Sequence, residues 1–199
     1  MRFLALSLFI LFNANLFSQI PDNPEDISPL LIGEKMPDVE LKDIEDNSVK
    51  LSSILSTKKT IMIFYRGSWC PYCNRHLAEV SQIEDELIAV GYQIIAVSPD
   101  LPVNLMKSVD KNELKYTLLS DATGDLTRAA GLAFKGPQRY EKQLSENQGK
   151  DAELILPVPS LFILNEDGEI LFEYINPNYK TRISGSLVLA AAKSIAEQK

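Results

Sequence analysis

Apolar and polar positions alternate around Val39 and Leu41, and again at Val49 and Leu51. Glu45-Asp46-Asn47-Ser48 supplies turn residues between the two stretches, so the pattern predicts a β-hairpin. Ile61 to Tyr65 is an unbroken apolar run, the signature of a strand covered on both faces and hence central in a sheet. Beyond it Leu77, Val80, Ile83, Leu87 and Ile88 recur at helical spacing up to Gly91, which predicts one helix of about five turns. Further along, strands are expected at Ile94 to Val97 and Tyr116 to Leu119, with helices at Leu101 to Leu114 and Asp125 to Ala130. Lys135 to Glu153 is polar, contains Gly136-Pro137 and Gly149, and reads as a loop or mobile insertion over one end of the sheet. Leu161 to Leu164, the turn Glu166-Asp167-Gly168 and Ile170 to Tyr174 predict a closing hairpin, and Ser184 to Ala196 a terminal helix.

Strand and helix alternate through the middle of the chain, so the expected class is α/β with a partly parallel sheet. With 199 residues, 45% of them hydrophobic, the chain has enough apolar surface for one core, and no shift of composition divides it. The net charge of −7 argues against nucleic acid or an anionic membrane surface as partner, because both attract surplus Lys and Arg. Arg2, the apolar run Phe3 to Phe12 and the small and polar residues up to Ser18 have the shape of a signal peptide. The run is about half of the roughly 20 apolar residues a spanning helix needs. The expectation is therefore cleavage near Ser18 and export to a periplasmic or extracellular location, without stable membrane insertion. Residues 19–34, with Pro21, Pro24 and Pro29, read as an extended leader, and residues 35–199 as the domain.

Export sharpens the meaning of the two cysteines, Cys70 and Cys73, which in an oxidising compartment pair with each other or react with something else. They lie in Trp69-Cys70-Pro71-Tyr72-Cys73, between a predicted strand and a predicted helix. On a helix, neighbours three apart share a face with Cβ atoms roughly 5–6 Å apart, close to what a disulfide tolerates. At a helix start the free amides and the dipole favour a thiolate, and Pro71 fits the first helical position. A purely structural disulfide closing so short a loop would contribute only about 2 kcal/mol. Zinc needs about four ligands, and beyond the cysteines the chain offers only His76 as a histidine. A redox-active dithiol is the reading that remains, with no metal and no bound cofactor. His76 reads as a solvated helix residue rather than a base.

The string Phe64-Tyr65-Arg66-Gly67-Ser68-Trp69-Cys70-Pro71-Tyr72-Cys73 resembles the thioredoxin superfamily, and specifically its alkyl hydroperoxide reductase/thiol-specific antioxidant, or peroxiredoxin-like, branch. Gly33 to Leu51, Ile95 to Asp100, Tyr116 to Asp121 and Pro159 to Gly168 resemble the same branch. The resemblance implies a thioredoxin-like fold, a central mixed sheet flanked by helices with the hairpin at its N-terminal side. It also implies a thiol electron donor, and a disulfide-containing protein or a hydroperoxide as substrate.

Two chemistries compete within that family. Aligned on Phe64-Tyr65, the peroxide-attacking cysteine of peroxiredoxins falls on Cys73. The proline, threonine and late arginine of their peroxide site fall on Arg66, Cys70 and Pro159. The thioredoxin pattern instead implies Cys70 as attacking thiolate, Cys73 as resolving thiol and Pro159 as a cis-proline facing them, with Trp69, Pro71, Tyr72 and Arg66 in support. The buried acid of thioredoxins is replaced by Phe64, leaving Glu84 or water as proton acceptor for Cys73. The expected function is exported thiol–disulfide exchange. Thiol-dependent reduction of hydroperoxides is the alternative, and a non-catalytic binding module the third reading.

Overall fold

The computed structural model describes residues 19–106, 116–150 and 152–197. The expected signal peptide therefore lies outside the described residues, as does the second half of the helix expected over Leu101 to Leu114; its first half, 102–106, is helical. Among the described residues no helix is long and apolar enough to cross a membrane.

The hairpin forms from β1 (Glu40–Lys42) and β2 (Ser48–Lys50). Leu51 does not extend it: a short helix, α1 (Leu51–Leu55), starts there and buries Leu51 and Leu55. β3 (Lys59–Phe64) is flanked by parallel β4 (Tyr92–Ser98) and antiparallel β8 (Ser160–Leu164). β5 (Thr117–Ser120) and β9 (Ile170–Ile175) complete a mixed seven-stranded sheet of order β2-β1-β5-β4-β3-β8-β9. The unbroken apolar run of β3 has a direct cause. Ile61 and Ile63 face one core with Ile94, Ala96, Leu161 and Ile163, while Met62 and Phe64 face the other with Ile95, Val97, Phe162 and Leu164. Helices cover both faces, so every second residue is apolar twice over.

The first face is covered by α2 (Pro71–Ser81), α3 (Glu84–Ala89) and the terminal helix α6 (Gly185–Glu197). The single five-turn helix expected after the dithiol is thus two. Ile83 leaves helical geometry at φ −106°, ψ 6°, and Glu84, Asp85 and Glu86 then occupy the first turn of α3, where the helix dipole favours acids. The second face carries α1 and α4 (Asp125–Ala129).

The polar stretch from Lys135 to Glu153 is not the loop expected. β6 (Ala133–Lys135) pairs with β7 (Ile155–Pro157), and the segment between them carries α5 (Glu141–Gln148), whose Leu144 is buried in a third cluster with Phe134, Leu156 and Val158. Leu144 is the only apolar residue of this helix, and its other buried side chain is Gln148, whose Nε2 donates to Ile155 O (2.9 Å), which is why no apolar period announced it. The leader has neither helix nor strand beyond a 3₁₀ turn at Pro24–Asp26, but it is bound to the domain. Leu30 N–H donates to Ala130 O (3.2 Å) and Gly33 N–H to Ile170 O (2.9 Å). Gly131, at φ +68°, lets the leader approach so closely that a Cβ there would stand 1.9 Å from Ser28 O.

Candidate active site

The chain leaves β3 at Phe64 and turns through residues 65–70 before entering α2. Ser68 N–H donates to the buried carboxylate of Asp100 (2.6 Å), and Asn74 Nδ2 returns from α2 to Ser68 O (2.9 Å). Gly67, at φ +133°, lies against this clamp: a Cβ there would stand 2.6 Å from both Asp100 Oδ1 and Trp69 Nε1. The turn delivers Cys70 to the N-cap of α2, with Pro71 at the first helical position, as the sequence predicts. Cys73 follows one turn on. Both sulfurs are buried free thiols in the first core.

Two guanidinium groups reach the sulfurs. Arg66 Nη1 lies 4.0 Å from Cys70 Sγ, and Arg182 Nη2 donates to Cys73 Sγ at 3.4 Å. Arg66 is buried, and its guanidinium carbon lies 4.7, 4.9 and 4.3 Å from the ring centres of Trp69, Tyr140 and Tyr179. Those π faces offset part of the cost of burying the charge. Tyr72 packs edge-on against Tyr179 at 5.7 Å. Arg182 is fixed by donating to the carbonyls of Thr181 (2.8 Å) and Tyr179.

The two thiols are driven apart in acidity. The hydrogen bond from Cys73, with help from its backbone and from the charges of Arg66 and Arg182, lowers Cys70 to about 6 against the cost of burial. Burial, and then the neighbouring Cys70, push Cys73 well above the ordinary thiol value, and Arg182 only partly opposes them. Of the two, Cys70 is the sulfur favoured as the thiolate and Cys73 the one favoured as the thiol.

The structure brings Arg66, Trp69, Cys70, Pro71, Tyr72, Cys73 and Pro159 to one end of the sheet, but corrects two of the expected features. Pro159 is not cis: no cis peptide bond occurs among the described residues. The chain instead passes from β7 into β8 in extended form, held by Val158 N–H on Leu132 O (2.9 Å) and by Asn176 N–H on Pro159 O (3.2 Å). Pro159 serves as buried wall of a cavity beside Arg66. His76 is not solvated. It is buried, and burial together with the charge of Arg182 lowers its pKa to about 4, so it is neutral. Glu84 lies beside Tyr116 on α3, and the charges acting on Cys73 are those of Cys70 and Arg182.

Arg182, Tyr140 and Tyr179 carry no local signal that would have singled them out, and Asp100 stood out only as the end of the stretch Ile95 to Asp100 that resembles the family. Arg182 sits 109 residues from the thiol it meets, in an aperiodic segment between β9 and α6.

This architecture is shared with known proteins. A family model described as AhpC/TSA matches residues 32–172, and the chain belongs to that family. It is 27% identical over 156 residues to peroxiredoxin Bcp of Bacillus subtilis, covering 78% of this chain and 92% of the relative. It is 24% identical over 169 residues to thiol-disulfide oxidoreductase ResA of Halalkalibacterium halodurans, covering 84% and 78%. Peroxidoxin BcpB of Mycobacterium tuberculosis superimposes with a TM-score of 0.66 at 21% identity, over 82% of this chain and 97% of that one. The fold is accordingly thioredoxin-like, and the protein is a thiol-dependent oxidoreductase.

Proposed function

We propose that this protein is an exported thiol–disulfide oxidoreductase in which Cys70 attacks. The observation that carries the reading is the place of Cys70 at the N-cap of α2 with the Arg66 guanidinium 4.0 Å from its sulfur. The hydrogen bond from Cys73 and the charge of Arg66 lower the pKa of Cys70, while burial raises that of Cys73 one turn inside. In the first step the Cys70 thiolate attacks one sulfur of a substrate disulfide, forming a mixed disulfide and expelling the other sulfur as a thiolate. Cys73 then loses its proton and attacks Cys70 Sγ, which closes the Cys70–Cys73 disulfide and releases the second substrate thiol. Arg182 favours the Cys73 thiolate in this second step. An external thiol donor returns the pair to the dithiol. Since Cys70 is fully buried, a neighbouring side chain has to shift to admit the substrate sulfur.

A second reading is favoured by Arg182. A guanidinium 3.4 Å from Cys73 is placed to stabilise a Cys73 thiolate that attacks a hydroperoxide. That step would leave a Cys73 sulfenic acid and an alcohol or water, and condensation with Cys70 would expel water and form the same disulfide. Single Cys70→Ser and Cys73→Ser variants, assayed with a disulfide and with a hydroperoxide, separate the two. In the first reading Cys73→Ser traps a mixed disulfide on Cys70 and Cys70→Ser is inert to both substrates. In the second, Cys70→Ser forms a sulfenic acid rapidly. Export rests on Arg2 and the apolar run Phe3 to Phe12, and N-terminal sequencing of the mature chain tests it, with a start near Gln19 expected.

A further inference from the structure

A cavity of about 310 Å³ opens on Arg66, the residue that meets Cys70, between the leader, the segment leading into α5 and the loop that carries Tyr179. Arg66, Phe134, Arg139, Pro159 and Tyr179 line it, together with Glu25 of the leader. At about 30 Å³ per water it holds some ten waters, room for a small molecule and not for a folded chain. Its lining joins apolar rings to two cations.

The charge balance around it is uneven. Arg66 is 97% removed from solvent by its relative exposure of 3%, forms no ion pair with a carboxylate among the described residues, and its Nε has no hydrogen-bond partner. With Arg182 it sets two guanidinium groups against one thiolate. Arg139 adds a third cation, exposed, stacked 4.9 Å from the Tyr140 ring and likewise without an ion pair among the described residues. The sole acid of the lining, Glu25, is exposed. The excess of buried positive charge over one thiolate is costly unless an anion in the cavity balances it.

We infer that this cavity is the substrate subsite of the dithiol and selects a small, partly apolar molecule bearing a carboxylate, which pairs with Arg139 and Arg66 while its apolar part lies on Phe134 and Pro159. The disulfide of such a molecule is thereby carried towards Cys70, whose sulfur lies 4.0 Å from the Arg66 guanidinium. The assignment as a substrate subsite rests on the function proposed above; the preference for an anion does not.

The test has two arms. In the first, hexanoate, 1-hexanol and hexylamine are titrated into the reduced full-length mature protein by calorimetry. Hexanoate is expected to bind, more weakly as salt is raised, and the other two not. Arg139→Glu should weaken hexanoate by about two- to fivefold, the range of one exposed ion pair, and Glu25→Gln should strengthen it. In the second, the rates of reaction with 3,3′-dithiodipropionate and with 2-hydroxyethyl disulfide are compared, and the dianion is expected to react faster, with the ratio falling in Arg139→Glu. Absence of hexanoate binding, or equal binding of hexanol, overturns the inference. Charge-selective hexanoate binding without reaction of either disulfide refutes disulfide exchange and leaves the anion site standing.

Discussion

Arg66 and Cys70 face each other across 4.0 Å, a buried guanidinium enclosed by three aromatic rings against a thiol that caps a helix. The arrangement gives the thiolate a permanent counter-charge where water is excluded, and there a charge acts more strongly than at the surface. Arg66→Gln removes that charge and retains much of the side chain's bulk. Alkylation of Cys70 by iodoacetamide, followed against pH, should then show a midpoint displaced upward from about 6, with the rate at pH 7 reduced on the order of threefold to tenfold.

Arg182 acts on the other sulfur. Arg182→Gln is expected to leave formation of the mixed disulfide largely intact and to slow its resolution on the order of tenfold, the effect of one lost charge-assisted hydrogen bond. Rapid-quench mass spectrometry with a small disulfide should show the mixed disulfide accumulating in the variant and passing unseen in the parent.

His76 makes stability depend on pH. Its folded pKa, about 4, lies below the unfolded value of 6.5, so the neutral form is favoured by folding. The corresponding stability is fully present above pH 6.5 and is lost as the pH falls from 6.5 to 4, by about 3 kcal/mol at most. Urea midpoints measured across this window should fall more steeply for the parent than for His76→Gln. Parallel curves would contradict the buried, neutral histidine.

The clamp under the dithiol is a further point of sensitivity. Gly67→Ala places a Cβ against Asp100 and Trp69 at a φ that side chains avoid, and Asp100→Ala strands the Ser68 amide. Each should cost about 1–3 kcal/mol in thermal or urea unfolding and lower the rate of Cys70 alkylation at pH 7.

Local pattern revealed the elements that are periodic and the motif that is contiguous. The β3 run, the closing hairpin and the strand–dithiol–helix unit were legible because residues two, three or four apart carry the signal. The division of α2 from α3 was written only in the acids Glu84, Asp85 and Glu86, which helical spacing of apolar residues does not register. α5 hid in a polar stretch with one buried leucine, and with it Tyr140. The site itself was half legible: Cys70, Cys73 and Arg66 sit within eight residues, whereas Arg182, Tyr179 and Asp100 arrive through sheet and helix packing from distant segments. The expected cis Pro159 failed for a related reason. A proline at a family position does not by itself define the path of the chain, and here its peptide bond is trans.

Which sulfur attacks is the centre of the account, and trapping decides it most directly. The reduced Cys73→Ser protein is mixed with a small disulfide and the reduced Cys70→Ser protein with hydrogen peroxide, and intact mass is followed over the first seconds. The account predicts a stable mixed disulfide on Cys70 in the first and no oxygen adduct in the second. A rapid gain of one oxygen on Cys73, with no adduct on Cys70 in the partner experiment, would contradict it.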